Sequence, residues 1–174
     1  MSLRLRGMEI ADVVTPGQAA AFTIGDRAQA GTLDALAAVH RELLDTPVTA
    51  TLATVCNDGT VQLTPVWVNR DADVLLLNSV RGRLKDRNLR ARPQVSLMLV
   101  NPQNAYHWIT VYGTVTDVVD EDDPARGGEA TANIDDLAES YLGQRPYPLR
   151  DPGGEIRVLY KVRPDRVVTF GPVG

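Results

Sequence analysis

Two strand-forming runs, Val48–Val55 and Thr60–Val68, are joined only by Cys56 and the turn sequence Asn57-Asp58-Gly59. A link that short returns the chain directly alongside itself, so the two runs must pair antiparallel. The pattern then repeats. Asp71 and Asp73 mark a turn before Val74–Ser79, Asn101-Pro102-Gln103-Asn104 follows the apolar strand Gln94–Val100, and Pro164-Asp165 separates Glu155–Arg163 from Arg166–Phe170. Tyr106–Val119 is long for one strand, and Gly113 is the expected bulge within it. About six or seven strands with short links predict an antiparallel barrel with helices outside, a mainly β fold rather than a doubly wound sheet.

Helices are expected where the apolar period changes to 3.6. Leu33, Leu36, Ala37, His40, Leu43 and Leu44 share one face of a helix over Thr32–Leu44, which Asp45-Thr46-Pro47 ends. His40 lies on that apolar face, where a structural role is expected. Ile134, Leu137, Ala138, Tyr141 and Leu142 define another helix, ended by Gly143, and Gln144–Gly154 reads as a loop around Tyr147. Upstream, Thr15-Pro16-Gly17-Gln18 resembles a capping box opening a short helix through Phe22. Residues 1–31 are read as an N-terminal extension and residues 32–174 as the domain proper.

Charge concentrates at one place. From Arg81 to Arg92 the chain carries six basic residues and one acid, a local charge of +5 in a chain whose formal net charge is −4. The stretch follows the buried-strand run Val74–Ser79, turns at Gly82 and enters a short helix that Pro93 closes. A strand, a glycine turn and a basic helix start form a cradle for an anion, because helix-start amides and cationic side chains point the same way. Arg83 offers bidentate recognition and Lys85 a mobile point charge. The residues alone equally allow a solvated helix face over a barrel end.

Other readings are narrower. An acidic chain with one basic patch is a poor electrostatic footprint for nucleic acid. One cysteine and two distant histidines do not make a metal site, and no nucleophile elbow precedes either histidine. No apolar run reaches transmembrane length, and MSLRLRGM lacks the hydrophobic segment of a signal peptide, so a cytoplasmic protein is expected. Pro65 inside Thr60–Val68 implies an edge strand or a locally broken ladder; a planar ring could lie against the free backbone groups there, and the residues equally allow an edge proline merely excluded from pairing.

The order PVTATLATVCNDGTVQLTPVWV, LLLNSVRGRLKDRNLRARPQVSLMLVNP and YHWITVYGTV resembles the split β-barrel flavin and deazaflavin oxidoreductases, the pyridoxamine 5′-phosphate oxidase-like superfamily. The RGRxKxRNL run is most similar to the actinobacterial branch that uses coenzyme F420. The resemblance covers about residues 33–170. It implies a six-stranded antiparallel split barrel of the FMN-binding type, a homodimer with cofactors in clefts at the subunit interface, and a small-molecule acceptor.

By resemblance, Arg83, Lys85 and Asn88 would hold the phosphate and ribityl-side oxygens of the cofactor, with Asn78 and Ser79 bordering the same tail and Arg81 near enough to assist. Gln62, Thr64, Pro65, Val66 and Trp67 would meet the tricyclic ring, and Tyr106 would reach the cofactor of the other subunit. The implied reaction is hydride transfer from reduced F420 to an electron-poor double bond. FMN is the alternative cofactor, and a non-catalytic cofactor carrier the alternative role. No catalytic residue is assigned: Tyr106, His107 and Tyr147 are the candidate proton donors, beside solvent.

Overall fold

The computed structural model describes residues 4–5, 8–17, 21–24, 30–31, 33–151 and 154–172. Its strands are β1 (Arg4–Leu5), β2 (Met8–Gly17), β3 (Ala21–Ile24), β4 (Ala30–Gly31), β5 (Ala50–Val55), β6 (Val61–Val66), β7 (Val68–Asp71), β8 (Val74–Val80), β9 (Gln94–Asn101), β10 (Asn104–Asp120) and β11 (Arg157–Pro172). The helices are α1 (Ala38–Asp45), α2 (Leu84–Ala91) and α3 (Gly127–Leu142), with a 3-10 turn at Leu33–Ala35 before α1.

Every strand pair is antiparallel. The main sheet runs β6-β5-β9-β10-β11, and β8 then β7 continue from the first half of β11. Seven strands thus curl into a half-barrel whose two ends, β6 and β7, are consecutive in the chain and separated by Trp67 alone. Counting that bent pair as one strand recovers the six expected. The second half of β11 pairs with β2, with Val168 opposite Asp12. Two long strands serve both parts of the sheet, and they bend where the ladder slips, between Tyr112 and Gly113 and between Val115 and Asp117. Gly113 is required at the first slip, because a Cβ there would lie 2.7 Å from the Arg163 carbonyl oxygen and from Val162 Cγ1.

Alternation fills the barrel. Leu52, Leu75, Leu77, Leu97, Leu99, Ile109, Val111 and Tyr160 point inward and are almost wholly buried, closed over by Leu43 and Leu44 of α1 and Leu89 of α2. Each such side chain contributes on the order of 1.5–3 kcal/mol through burial. His40 and His107 sit in this layer, both buried, with ring centroids 5.3 Å apart. Burial and the neighbouring His107 lower the His40 pKa. Helix α3 packs outside, where Ala130 meets Val119 and Leu159.

Four expectations change. The helix expected at Thr15–Phe22 is absent from the described residues: Met8–Gly17 and Ala21–Ile24 are strands, because pairing with β11 outweighs a local capping signal. The single helix over Thr32–Leu44 is a 3-10 turn followed by the shorter α1. The two last strands are one, with Pro164 opposite Gly113 at a slipped register where no ladder amide is needed. Helix α3 starts at Gly127, before the first apolar residue of the expected helix, and ends as predicted with Gly143 in the left-handed conformation, φ 67°.

Candidate functional site

Edge strand β6, the start of α2, the end of β8 and the first residue of β11 converge on a cleft of about 280 Å³. It is lined by Pro65, Val66, Trp67, Asn78, Arg83 and Lys85, and also by Thr49, Ile134, Leu137, Tyr147 and Arg157. The sheet geometry explains the convergence. Asn78 pairs with Leu159 in the β8–β11 ladder and Val80 with Arg157, which places the glycine turn after β8 beside the beginning of β11.

The basic turn is built from below. Gly82 has φ 81°, a conformation that other residues rarely adopt, and its amide donates to Asp86 Oδ2 at 2.7 Å. Asp86 also accepts from Arg90 Nε at 2.8 Å and from the hydroxyl of the fully buried Tyr160. Burial pushes its carboxyl pKa up, but the Tyr160, Gly82 and Arg90 donors outweigh that, and the net shift is downward. The same carboxylate raises the Tyr160 pKa further beyond the effect of burial. This ionised plug sets the turn from which Arg83 and Lys85 enter the cleft.

The six cations of the stretch do not act together. Arg81 turns away to Asp122, at 2.5 Å, and Asp120, at 3.2 Å. Arg90 joins the same acidic group, Arg87 donates to the Gly82 carbonyl at 3.0 Å, and Arg92 to Asn57 Oδ1 at 2.9 Å. Arg83 remains, with Glu155 Oε1 at 2.8 Å, and so does Lys85. Lys85 makes no ion pair or hydrogen bond among the described residues, and burial followed by the charge of Arg83 lowers its pKa. A half-buried ammonium beside a guanidinium, with no carboxylate of its own, is a site for an anion.

An aromatic wall faces these cations. Trp67 stacks on Tyr141 at 5.1 Å between centroids, meets Tyr147 edge-on at 6.1 Å, and Tyr147 in turn lies 4.6 Å from the Arg157 guanidinium carbon. Tyr147 is tied down by its amide, which donates to Asp135 Oδ1 at 2.9 Å. Among the described residues, two buried polar atoms of the cleft lining lack partners, Arg157 Nε and Asn78 Oδ1; Ser79 Oγ lacks one too, but Ser79 is outside the lining, on the core face of β8. Asn78 uses its amide nitrogen on the Ala130 carbonyl at 2.9 Å, leaving the oxygen over. Such orphaned atoms are rare in finished interiors.

Of the remaining predicted residues, Pro65 alone borders the cleft. Asn88 is buried and donates inward to Thr54 Oγ1 at 3.0 Å, with Gln62 Oε1 at 3.4 Å, so these two brace α2 against the β5–β6 hairpin. Thr64 lies on the same half-buried face of β6, beside Val66, while Pro65 is on the exposed face, on an edge strand as expected. Tyr106 is exposed at the start of β10. His107 is buried with its Nδ1 3.0 Å from Asn101 Nδ2, outside the cleft lining. Of the three candidate proton donors, only Tyr147 lines the cleft. Sequence reasoning missed Arg157, which has no patterned neighbour and joins the site only through the β8–β11 register.

A second concavity, about 380 Å³, lies on the outer sheet face between Ala53, Val55, Val61, Val95 and Tyr112. Exposed Leu63, Met98 and Tyr112 continue this apolar face. In the ladders Leu63 lies opposite Ala53, which pairs with Ser96, itself opposite Tyr112, while Met98 lies in the next row.

Residues 36–169 match the family model described as pyridoxamine 5′-phosphate oxidase. Among solved structures, an F420 reductase is 33% identical with a TM-score of 0.61, over 74% of this chain and 94% of the other. A conserved hypothetical protein from Mycobacterium tuberculosis is 21% identical with a TM-score of 0.55, over 72% and 78%. General Stress Protein 26 from Bacillus anthracis str. Sterne is 20% identical with a TM-score of 0.52, over 78% and 96%. No curated protein matches the sequence.

Proposed function

Because the chain belongs to the pyridoxamine 5′-phosphate oxidase family of flavin and deazaflavin split barrels, we propose that it is an F420-dependent reductase. Its substrate would be a small organic acceptor with an electron-poor double bond. The observation that carries this reading is Lys85: a half-buried cation with no partner among the described residues, beside Arg83 and lining the same cleft as Trp67 and Tyr147. The similarity to an F420 reductase supports the choice of deazaflavin.

The residues fit such a group. Arg83 and Lys85 would take its phosphate, with the unfilled Arg157 Nε as a further donor and Asn78 Oδ1 as an acceptor for a hydroxyl of the chain that joins phosphate to ring. The backbone of Pro65 and Val66 and the Trp67 side chain would flank its ring. When bound, reduced F420 supplies a hydride to the acceptor. The protein's own work is to orient that ring, exclude water along the Trp67–Tyr147 wall and hold the acceptor within reach. Of Tyr106, His107 and Tyr147, Tyr147 is the one in the cleft lining and would be the side chain to hand over a proton, with solvent the other source.

A homodimer belongs to the same reading. The cleft of one protomer falls below the range of roughly 300–1,000 Å³ usual for ligand sites, and the apolar outer face beside β6 supplies the surface through which a second copy would complete it.

FMN is the second reading, favoured by the compactness of the cation set: Arg83, Lys85 and Arg157 alone suit a single phosphate. Fluorescence titration of the purified protein with F420 and with FMN separates the two. Saturation by F420 with weak FMN binding is expected, and reduced F420 should regain the visible absorbance of the oxidised form only when an enone or quinone is added. Tight FMN binding alone moves the protein to the flavin reading, and binding without turnover of any acceptor makes it a carrier.

A further inference from the structure

Among the described residues, Glu155 is the one carboxylate that reaches the side chains of the cleft cations. Its Oε1 lies 2.8 Å from Arg83 Nη2 and its Oε2 lies 3.2 Å from Arg157 Nη2. A single carboxylate therefore spans the two guanidinium groups. The Arg157 side chain is only 5% exposed, and its Nε has no acceptor at all. Burying a guanidinium with one of its donors unmet is costly unless a further acceptor arrives.

The Arg157 main chain is not free to adjust. Its amide donates to Glu121 Oε2 at 3.1 Å, its carbonyl accepts from the Glu121 amide at 2.8 Å, and it pairs with Val80 across the sheet. Tyr147 covers the face of the guanidinium. Glu155, by contrast, precedes β11 and lies outside the ladder. The fixed partner is the cation and the replaceable one is the acid.

We propose that Glu155 is an internal competitor for this cleft: its carboxylate occupies the anion subsite between Arg83 and Arg157 and must leave when an anionic group of the ligand enters. The inference rests on the reading of the cleft as a cofactor site and adds a selection rule to it. A monoanion exchanges one carboxylate for another and gains little. A phosphate ester or a ligand with two anionic groups satisfies Arg83, Arg157 and the partnerless Lys85 together, so it displaces Glu155 with net gain.

Calorimetric titration of the parent chain, E155Q and E155A with F420, and separately with inorganic pyrophosphate, tests this. Both variants are expected to bind at least one probe about three- to tenfold more tightly, because the Glu155 pairs with Arg83 and Arg157 no longer need to break. The gain should shrink at high salt, and thermal unfolding monitored by circular dichroism checks that the variants fold. Equal or weaker binding of both probes overturns the proposal, since Glu155 would then be positioning the arginines. Failure of F420 to bind any form, with the gain for pyrophosphate intact, removes the F420 reading and leaves the competitor standing.

Discussion

Trp67 lies flat against Tyr141, the ring centroids 5.1 Å apart and the planes within 18° of parallel. The contact sits at the break between β6 and β7, where the sheet has no ladder to hold it. Tyr141 replaces that ladder. Its hydroxyl lies 2.8 Å from the Val48 carbonyl and 3.1 Å from the Val68 carbonyl, and it accepts from the Val68 amide at 3.2 Å. Helix α3 thereby clamps the split of the barrel and presents Trp67 to the cleft.

Tyr141→Phe keeps the stacked ring and removes the clamp. It is expected to destabilise the protein by about 1–3 kcal/mol, because the Val68 amide and Val48 carbonyl lose a buried partner. Urea unfolding measures the cost. Ligand affinity should fall as well, since the backbone at the β6–β7 break beside Trp67 is no longer tied to α3, and unchanged stability would show that water replaces the hydroxyl freely.

Lys85 sets function against stability. Its folded pKa is lowered from the ordinary 10.5, so the charged form is disfavoured in the folded chain. That penalty is fully present below the folded pKa and is relieved as pH rises towards the unfolded value. Lys85→Met should therefore unfold at a higher temperature than the parent without ligand, with the difference narrowing as pH approaches 10. The double variant Arg83→Ala, Lys85→Ala should lose at least tenfold in cofactor affinity while remaining folded, each charge-assisted contact contributing about 1.5–3 kcal/mol.

Asp86 predicts the opposite pH behaviour. A carboxyl whose folded pKa lies below its unfolded value of 3.8 contributes stability above that value and loses it as pH falls through the folded pKa. Asp86→Asn is expected to cost about 2–3 kcal/mol at pH 7, through the donors of Gly82, Tyr160 and Arg90. Urea unfolding of both proteins from pH 7 to pH 3 should show the gap closing at the acid end. A gap independent of pH would mean the carboxylate charge is not what holds the basic turn.

Leu63 is 64% exposed on edge strand β6, on the same outer face as Met98 and Tyr112. Isolated exposed leucines are ordinary, but these three share one face with Ala53 and Val55, and it is the face that the proposed dimer would bury. Leu63→Asp should halve the solution mass measured by light scattering and weaken cofactor binding with it. An unchanged mass would place the second copy, if any, on another face.

Much was legible in the sequence because it depends on local pattern. Period-two alternation and the Asn57-Asp58-Gly59 turn identify the β5–β6 hairpin, Gly113 marks the bulge in β10, Gly143 ends α3, and Pro65 signals the edge. The resemblance carried by RGRLKDRNL led to the family that the comparisons then showed. Where a local signal competed with pairing, pairing prevailed: Thr15-Pro16-Gly17-Gln18 caps no helix because Met8–Gly17 adds to the edge of β11.

The chain alone determined that a +5 stretch follows a buried strand through a glycine turn, since those are properties of neighbours in sequence. Only the tertiary structure decided which charges serve the cleft. Asp120, the last residue of β10, and Asp122 in the turn after it neutralise Arg81 and Arg90, whereas Glu155 and Arg157 arrive beside Arg83 through the β8–β11 register. Coulomb interactions act across a few ångströms of space whatever the separation along the chain, so counting charges locates a site and folding determines its contents.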